Sequence, residues 1–405
     1  MADVPRHDVV IVGAGIAGAS LALALADRGL RIALVEARPL APPPLPEAAG
    51  LRDFDARVSA LTPRSRDLLR QLGAWEAIEN YRYCPYHHMT VWDAEGTGLI
   101  EFDRAEVDAP ALGFIVENRA IVHALLHRAQ QSRDIELLGG AALLACTRGD
   151  DSSQVIELEG GGELVTDLLV AADGAQSRVR QLMNFRTREW DYGHHALVAT
   201  VETARTHDDT AWQRFMPTGP LALLPLQARD GRNFCSIVWS LQEDRAQDIL
   251  ALDDAAFCAA LTEASESRLG TVLASSPRHA FPLRQRHAVD YVQPGVALVG
   301  DAAHTIHPLA GQGINLGLQD GAVLADEIIR GGANGVSPGQ LQLLRRYQRR
   351  RKGENLLMMG AMDGFKRLFE EPALPVRWLR SVGMRSVDRM APVKQQLMRH
   401  AMGIQ

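Results

Sequence analysis

The chain has 405 residues, enough for two domains or for one large domain with an insertion. Apolar residues make up 46%, which allows a sizeable core, and the formal net charge of −6 argues against a general nucleic-acid binder. The four cysteines, Cys84, Cys146, Cys235 and Cys258, are scattered without a CxxC, so neither a disulfide framework nor a zinc site is expected.

The opening "MADVPRHDVVIVG" has no basic region ahead of a long apolar run. Nowhere do about 18 apolar residues run unbroken. The expectation is a cytoplasmic protein with neither signal peptide nor transmembrane helix. His7 to Val12 reads as a strand buried on both faces, Ile16 to Asp27 as a helix ended by Gly29, and Arg31 to Glu36 as a second buried strand. "PPPLPE" excludes regular structure. Arg64 to Trp75 has helical spacing, Met89 to Phe102 reads as strands around "EGTG", and Ala120 to Gln131 is helical again. "QVIELEGGGELVTDLLVAADG" predicts a hairpin turning at Gly160 to Gly162, then a buried strand ending near Asp173. From about residue 190 to 290 the apolar runs "HALVATVE", "PLALLPL" and "NFCSIVWSL" predict strands, with one helical stretch near Asp253 to Glu266. "GVALVGD" is another buried strand, and Gly313 to Arg330 reads as a helix.

"GAGIAG" places glycines at Gly13, Gly15 and Gly18. In a dinucleotide fingerprint the first permits a tight turn, the second lets a pyrophosphate approach the backbone, and the third lets helix and strand pack closely. Here the motif follows a strand, opens a helix and is followed by a strand ending in Glu36, 18 residues past Gly18. That spacing suits a carboxylate holding ribose hydroxyls and leaves little room for a 2′-phosphate. The fingerprint alone does not separate an NAD-like from an FAD-like ligand.

Two further strand-to-turn sites follow, "DLLVAADGAQSRVR" (Asp167 to Arg180) and "ALVGDAAHTIHPLAGQGINLGLQD". In this order the three resemble the flavoprotein hydroxylases that share the fold of para-hydroxybenzoate hydroxylase. "HPLAGQGINLGLQD" together with "RVSAL" (Arg57 to Leu61) is similar to the ubiquinone-biosynthesis hydroxylase family. "LGAWEAI", "MTVWD" and "LGFIVENRAIVHALL" resemble its polyprenylphenol hydroxylase branch. The resemblance runs from about residue 5 to about 400.

It implies an α/β fold: a Rossmann-like FAD-binding domain (1–75, 113–185 and 286–335), an interleaved β-sheet substrate domain (76–112 and 186–285) and a basic helical C-terminal region (336–405). It also implies FAD as cofactor and NAD(P)H as electron donor. In the family, reduced flavin takes up O2 as a C4a-hydroperoxide and passes one oxygen atom to a phenol ring, so no single residue is marked as catalytic. By the same resemblance Asp301 accepts from a ribitol hydroxyl, and Pro308 and Leu309 shape the chain beside the flavin ring. Gln312 and Gly313 lead into a helix whose first N–H groups, near Ile314 and Asn315, point at the pyrimidine edge. Arg57 contacts the cofactor from a mobile loop, with a surface ion pair as the alternative. Asn118, or Arg119 in its place, serves the phosphate–ribitol region. Asp173 supports both FAD and pyridine nucleotide, against the competing reading of a helix N-cap. "TGPLALLPL" is substrate wall, plain strand core, or both.

His304 and His307 lack a third ligand, so hydrogen bonding within their loop is expected rather than a metal. His87–His88 and His194–His195 are expected to face solvent or lie at strand edges. From Leu341 onward there are 14 basic and 5 acidic residues, a balance of +9 that leaves −15 for the rest of the chain. Apolar residues at helical spacing accompany this charge. The tail is either a set of helices packed on the body with a solvated face, or an attachment to anionic membrane or to a partner in a ubiquinone-synthesis complex. Two rivals remain to the polyprenylphenol reading: a flavin hydroxylase of a small soluble aromatic compound, and a non-catalytic scaffold of a lipid-synthesis complex.

Overall fold

In the computed structural model the Arg6–Val12 strand lies at the centre of a parallel sheet, because Val9, Val10 and Ile11 are apolar and wholly buried on both faces. The structure describes residues 4–47, 50–149, 153–228, 231–305, 313–371 and 373–404. Across this sheet the order is Val292–Gln293, Val296–Leu298, Glu163–Ala171, Arg6–Val12, Ile32–Glu36 and Ile135–Gly139. All neighbours from Val296–Leu298 to Ile135–Gly139 are parallel. The antiparallel strands Gln154–Leu158 and Leu143–Arg148 extend its side. The chain leaves the central strand through the Ile16–Leu25 helix to Ile32–Glu36 on one side, while the strand's other neighbour, Glu163–Ala171, comes much later in sequence. Ligands of such sheets lie beyond the carboxyl ends of the strands at this reversal.

A nine-stranded sheet is built on the 17-residue strand Thr187–Thr203, which pairs with Phe234–Gln242 on one side and His279–Ala288 on the other. Its partners continue through Leu221–Leu226 and Thr210–Phe215 to His88–Asp93 and Leu99–Asp103. Val58–Leu61, Gly113–Glu117 and Cys84–Tyr86 form a small sheet of their own. Every residue of Leu221–Leu226 is buried, and the period of two divides them. Leu221 and Leu223 face a core capped by Phe257 and Leu261, whereas Ala222, Leu224 and Leu226 pack against Val58, Ala60 and Ile115 of the small sheet.

Three sequence expectations change. Helical spacing over Arg64 to Trp75 resolves into two helices, Pro63–Gln71 and Trp75–Tyr81, because Gly73 takes φ +70° and ends the first. The single helix near Asp253 to Glu266 is preceded by another, Glu243–Ala251, and the Asp253 carboxylate caps the second by accepting from Ala256 N–H at 2.7 Å. His194 is buried in an internal strand rather than at an edge. Arg351, in the basic C-terminal region, is buried, as described below.

Candidate active site

The glycine turn follows the central strand and has three distinct environments. A Cβ on Gly13, whose φ is +103°, would sit 2.4 Å from the carbonyl oxygen of Ala172, and one on Gly18 would sit 1.9 Å from that of Gly13. These two glycines are required by packing. Gly15 has nothing within 4 Å of its Cβ position. It is the N-cap of Ile16–Leu25, and no side chain caps that helix. The first N–H groups of the helix therefore face open space at its positive end, a site for a phosphate anion.

Glu36 ends the neighbouring strand. One carboxylate oxygen accepts from Ala14 N–H at 3.1 Å and the other from Arg38 N–H at 3.2 Å. These bonds fix the carboxylate beside the glycine turn and leave acceptor capacity for hydroxyl groups.

Asp173 follows the Glu163–Ala171 strand. Its Oδ2 accepts from the backbone N–H of Arg178 and Val179, at 2.7 and 3.2 Å, so it does serve the start of the Arg178–Leu182 helix. Its Oδ1 is shielded from solvent and has no hydrogen-bond partner among the described residues, and the same holds for Arg119 Nε. Native proteins rarely leave such atoms unpaired, and both belong to the residues that the sequence assigns to a cofactor. Otherwise Arg119 is held by Glu117 at 2.8 Å and by the carbonyl of Asp53, while its N–H donates to Asp55. Asn118 opens the Asn118–Gln130 helix and accepts from Ser59 Oγ at 2.6 Å.

Asp301 lies at the end of Val296–Leu298, past Val299 and Gly300, and is exposed. Surrounding protein raises its carboxyl pKa by desolvation, opposed by His304 and Arg57 and reinforced by Asp320. Arg57 is exposed, and its guanidinium lies 6.0 Å from the ring of Phe281 on the nine-stranded sheet. Among the described residues no carboxylate pairs directly with it, although its charge acts on Asp301.

Gly313 and Ile314 begin the Gly313–Gly332 helix. The buried Asn315 side chain donates to Ala60 O at 2.8 Å and accepts from Thr62 N–H at 3.0 Å, which fixes the helix start against the small sheet. Its side chain is therefore occupied, and only backbone N–H groups of this first turn remain for a ligand. His307, Pro308, Leu309 and Gln312 lie outside the described residues.

The sequence missed what holds these pieces together. Asp320 is fully buried on the Gly313–Gly332 helix. Its Oδ2 accepts from Gly300 N–H at 3.0 Å and from His304 Nε2 at 2.5 Å. Oδ1 accepts from Arg351 Nε at 2.8 Å and from Asn355 Nδ2 at 3.1 Å. Burial alone would raise the Asp320 pKa, but the adjoining His304 and Arg351 outweigh it and hold it down at about 2. His304 thus bonds to a helix rather than within its own loop. Arg180, also buried, donates to Ala302 O at 2.9 Å and Ala175 O at 2.7 Å, tying the Asp173 turn to the Asp301 turn. The available signal was a charged residue on the buried face of an apolar helix, which demands a partner.

Gly13 with Gly15, Glu36, Asp173 and Asp301 all follow or end adjacent parallel strands, at one edge of one sheet. An elongated ligand crossing that edge would meet a phosphate site, a ribose acceptor and the unpaired Asp173 Oδ1. These residues fit FAD.

The FAD binding domain family matches residues 6–354 of the chain. The 3-demethoxyubiquinol 3-hydroxylase of Escherichia coli is 37% identical over 98% of both chains. The mitochondrial ubiquinone biosynthesis monooxygenase COQ6 of Xenopus tropicalis is 36% identical over 98% of this chain and 93% of its own. The crystal structure of p-nitrophenol 4-monooxygenase PnpA from Pseudomonas putida has a TM-score of 0.79 at 18% identity, with both chains fully covered. With that shared fold and an end-to-end match to the hydroxylases, the chain belongs to the FAD-dependent monooxygenase family that includes the ubiquinone-biosynthesis hydroxylases.

Proposed function

We propose that this protein hydroxylates the aromatic ring of a polyprenylated phenol in ubiquinone biosynthesis, using FAD, O2 and NAD(P)H. The observation that carries the reading is the end-to-end similarity to relatives bearing ubiquinone-biosynthesis names. Those relatives have different names at nearly equal identity, so the ring position does not transfer.

Bound flavin supplies the oxygen-activating redox chemistry. The chain's residues bind and position it. The N–H groups above Gly15 take the pyrophosphate, Glu36 the adenosine ribose, Asn118, Arg119 and Asp173 the phosphate–ribitol stretch, and Asp301 a ribitol hydroxyl. Backbone N–H groups at Gly313, Ile314 and Asn315 offer a positive helix end to the electron-rich pyrimidine edge. Arg57, close to both Asp301 and Phe281, joins the cofactor side to the nine-stranded sheet. The apolar layer of Ala222, Leu224 and Leu226 excludes water near the ring to be hydroxylated.

We read residues 1–75, 113–185 and 286–335 as the FAD-binding domain, 76–112 with 186–285 as the substrate domain, and 336–405 as the region that brings the protein to lipid. No described helix is long and apolar enough to cross a membrane. Loading of a prenylated substrate then requires peripheral contact with a bilayer or a lipid-carrying partner. The test is deletion in the host followed by mass analysis of the accumulating quinone precursor. A prenylated precursor lacking one ring hydroxyl, restored by the intact gene, supports the proposal. An unchanged quinone pool overturns it.

A further inference from the structure

The C-terminal helices Leu341–Glu370, Leu374–Arg389 and Ala391–Met402 are fastened to the body by one side. Tyr347 and Arg351 are buried, and Phe369 stacks on Phe215 of the nine-stranded sheet at 4.0 Å. Arg380 forms a buried two-point ion pair with Asp93, both contacts at 2.8 Å. Lys394 pairs with Glu106 at 2.8 Å, and Met398 and Met402 pack with Ala109 and Leu112. The opposite side is thus a fixed surface rather than a frayed end.

That side is apolar. Ten of the fifteen exposed large apolar residues among those described lie between Leu356 and Ile404, with Leu357 exposed by 63% and Trp378 by 64%. Such a concentration of exposed apolar side chains is the mark of an interaction site. Six arginines, Arg345, Arg346, Arg349, Arg385, Arg389 and Arg399, are exposed and form no ion pair among the described residues. Helical period puts the two classes on shared lines. Arg346, Leu357 and Leu368 follow one another at about three turns, and Trp378, Arg385 and Arg389 fall on one stripe, opposite the buried Arg380 and Met384.

We infer that this outward face of the three C-terminal helices is a membrane-docking surface that lies in the headgroup layer of an anionic bilayer. Arginine beside apolar side chains, with tryptophan among them, is the composition of a segment lying in that layer. The region's +9 charge complements an anionic surface, whereas the −15 of the rest would be repelled by it, which orients the molecule with this face toward the lipid. A second copy is a poor occupant, since self-complementary pairing would bring the arginines of two copies together. The purpose of the surface rests on the prenylated-substrate reading; its placement rests on exposure and charge alone.

The test uses the full-length FAD-loaded protein. It is floated with vesicles of phosphatidylcholine alone or of phosphatidylcholine with phosphatidylglycerol. The expected result is binding to the anionic vesicles at low salt and release at high salt. Binding should fall about tenfold or more in Leu357→Glu/Trp378→Glu and in Arg385→Glu/Arg389→Glu. FAD content and melting temperature should stay unchanged, because all four side chains are exposed. Absence of binding to anionic vesicles, or equal binding by the wild type and both variants, would overturn the inference. So would a dimer that both variants dissociate. Turnover of a detergent-dispersed prenylphenol separates the two proposals: failure there with vesicle binding intact counts against the substrate, not the surface.

Discussion

Asp320 and Arg351 form an ion pair with both side chains almost wholly removed from water, at 2.8 Å, between the helix that starts at the candidate flavin edge and the first C-terminal helix. Asp320 also holds Gly300 N–H and His304, so one carboxylate secures the turn carrying Asp301. Removing its charge leaves the buried Arg351 guanidinium with only the exposed Glu354 as a counter-charge, a loss that approaches the about 3–5 kcal/mol of breaking a buried pair. Asp320→Asn should therefore lower the melting temperature sharply and speed FAD release. Asp320→Leu combined with Arg351→Met should recover much of the stability but little of the FAD retention, because Gly300 and His304 still lose their acceptor. Thermal melts and stopped-flow flavin release measure both. An Asp320→Asn melt equal to wild type would remove this pair from the account.

That pair also shows where the sequence was legible. Gly13, Gly15, Gly18 and Glu36 act within one βαβ unit, so short-range spacing exposes them. Asp320 and Arg351 are 31 residues apart on different helices, and Arg351 stands in a run of arginines whose other members are mostly exposed. Only the register of the long helix turns that one residue inward. The Glu243–Ala251 helix was missed although Glu243 and Asp244 stand in its first turn, because a strand's apolar run leads straight into it. His194 was misplaced because nothing local reveals that its strand gains partners on both edges.

His287 predicts a pH response. Its pKa falls from 6.5 to about 4, first through desolvation and then through the charges of His304, Lys352 and Arg188. Geometry agrees. Asn355 Nδ2 approaches Tyr291 Oη at 3.4 Å and Tyr291 Oη lies 3.1 Å from His287 Nε2, an arrangement that suits a tyrosine proton donated to an unprotonated Nε2. The unfolded chain takes up a proton near pH 6.5 and the folded one does not. The contribution is thus complete above pH 6.5 and is lost as pH falls toward 4. After allowance for solvent screening it amounts to about 1–3 kcal/mol. His287→Gln should flatten the stability curve in that window, as read by urea unfolding at a series of pH values. A slope as steep as the wild type's would assign the loss to other groups.

The glycines of the turn should separate under substitution. Gly18→Ala forces a Cβ to within 1.9 Å of the Gly13 carbonyl oxygen, so the fold itself should suffer. Gly15 has an ordinary φ of −72° and open space, so Gly15→Val should fold and melt nearly as the wild type. It fills the site proposed for the pyrophosphate and should therefore be isolated without flavin. Absorbance of the purified variants and their melting curves decide the matter. A yellow, fully occupied Gly15→Val protein would mean that the phosphate lies elsewhere.

Glu36 has two roles that one substitution would confuse. Its carboxylate braces the glycine turn through Ala14 N–H at 3.1 Å, and it is proposed to accept from the ribose hydroxyls. Loss of the brace alone should cost stability of about 1 kcal/mol, the net worth of one such hydrogen bond. Loss of two charge-assisted bonds to the ribose should cost on the order of 2–4 kcal/mol of FAD affinity. Glu36→Ala removes both. Glu36→Gln retains one oxygen acceptor, so it can preserve the brace while weakening the ribose contacts. The expected pattern is a graded loss of affinity, alanine worse than glutamine, with the glutamine variant melting close to wild type when both are measured as apoprotein. FAD titrations followed by flavin fluorescence give the affinities. If Glu36→Ala loses apoprotein stability but binds FAD as tightly as the wild type, Glu36 is a brace for the turn and the ribose must be held by another group.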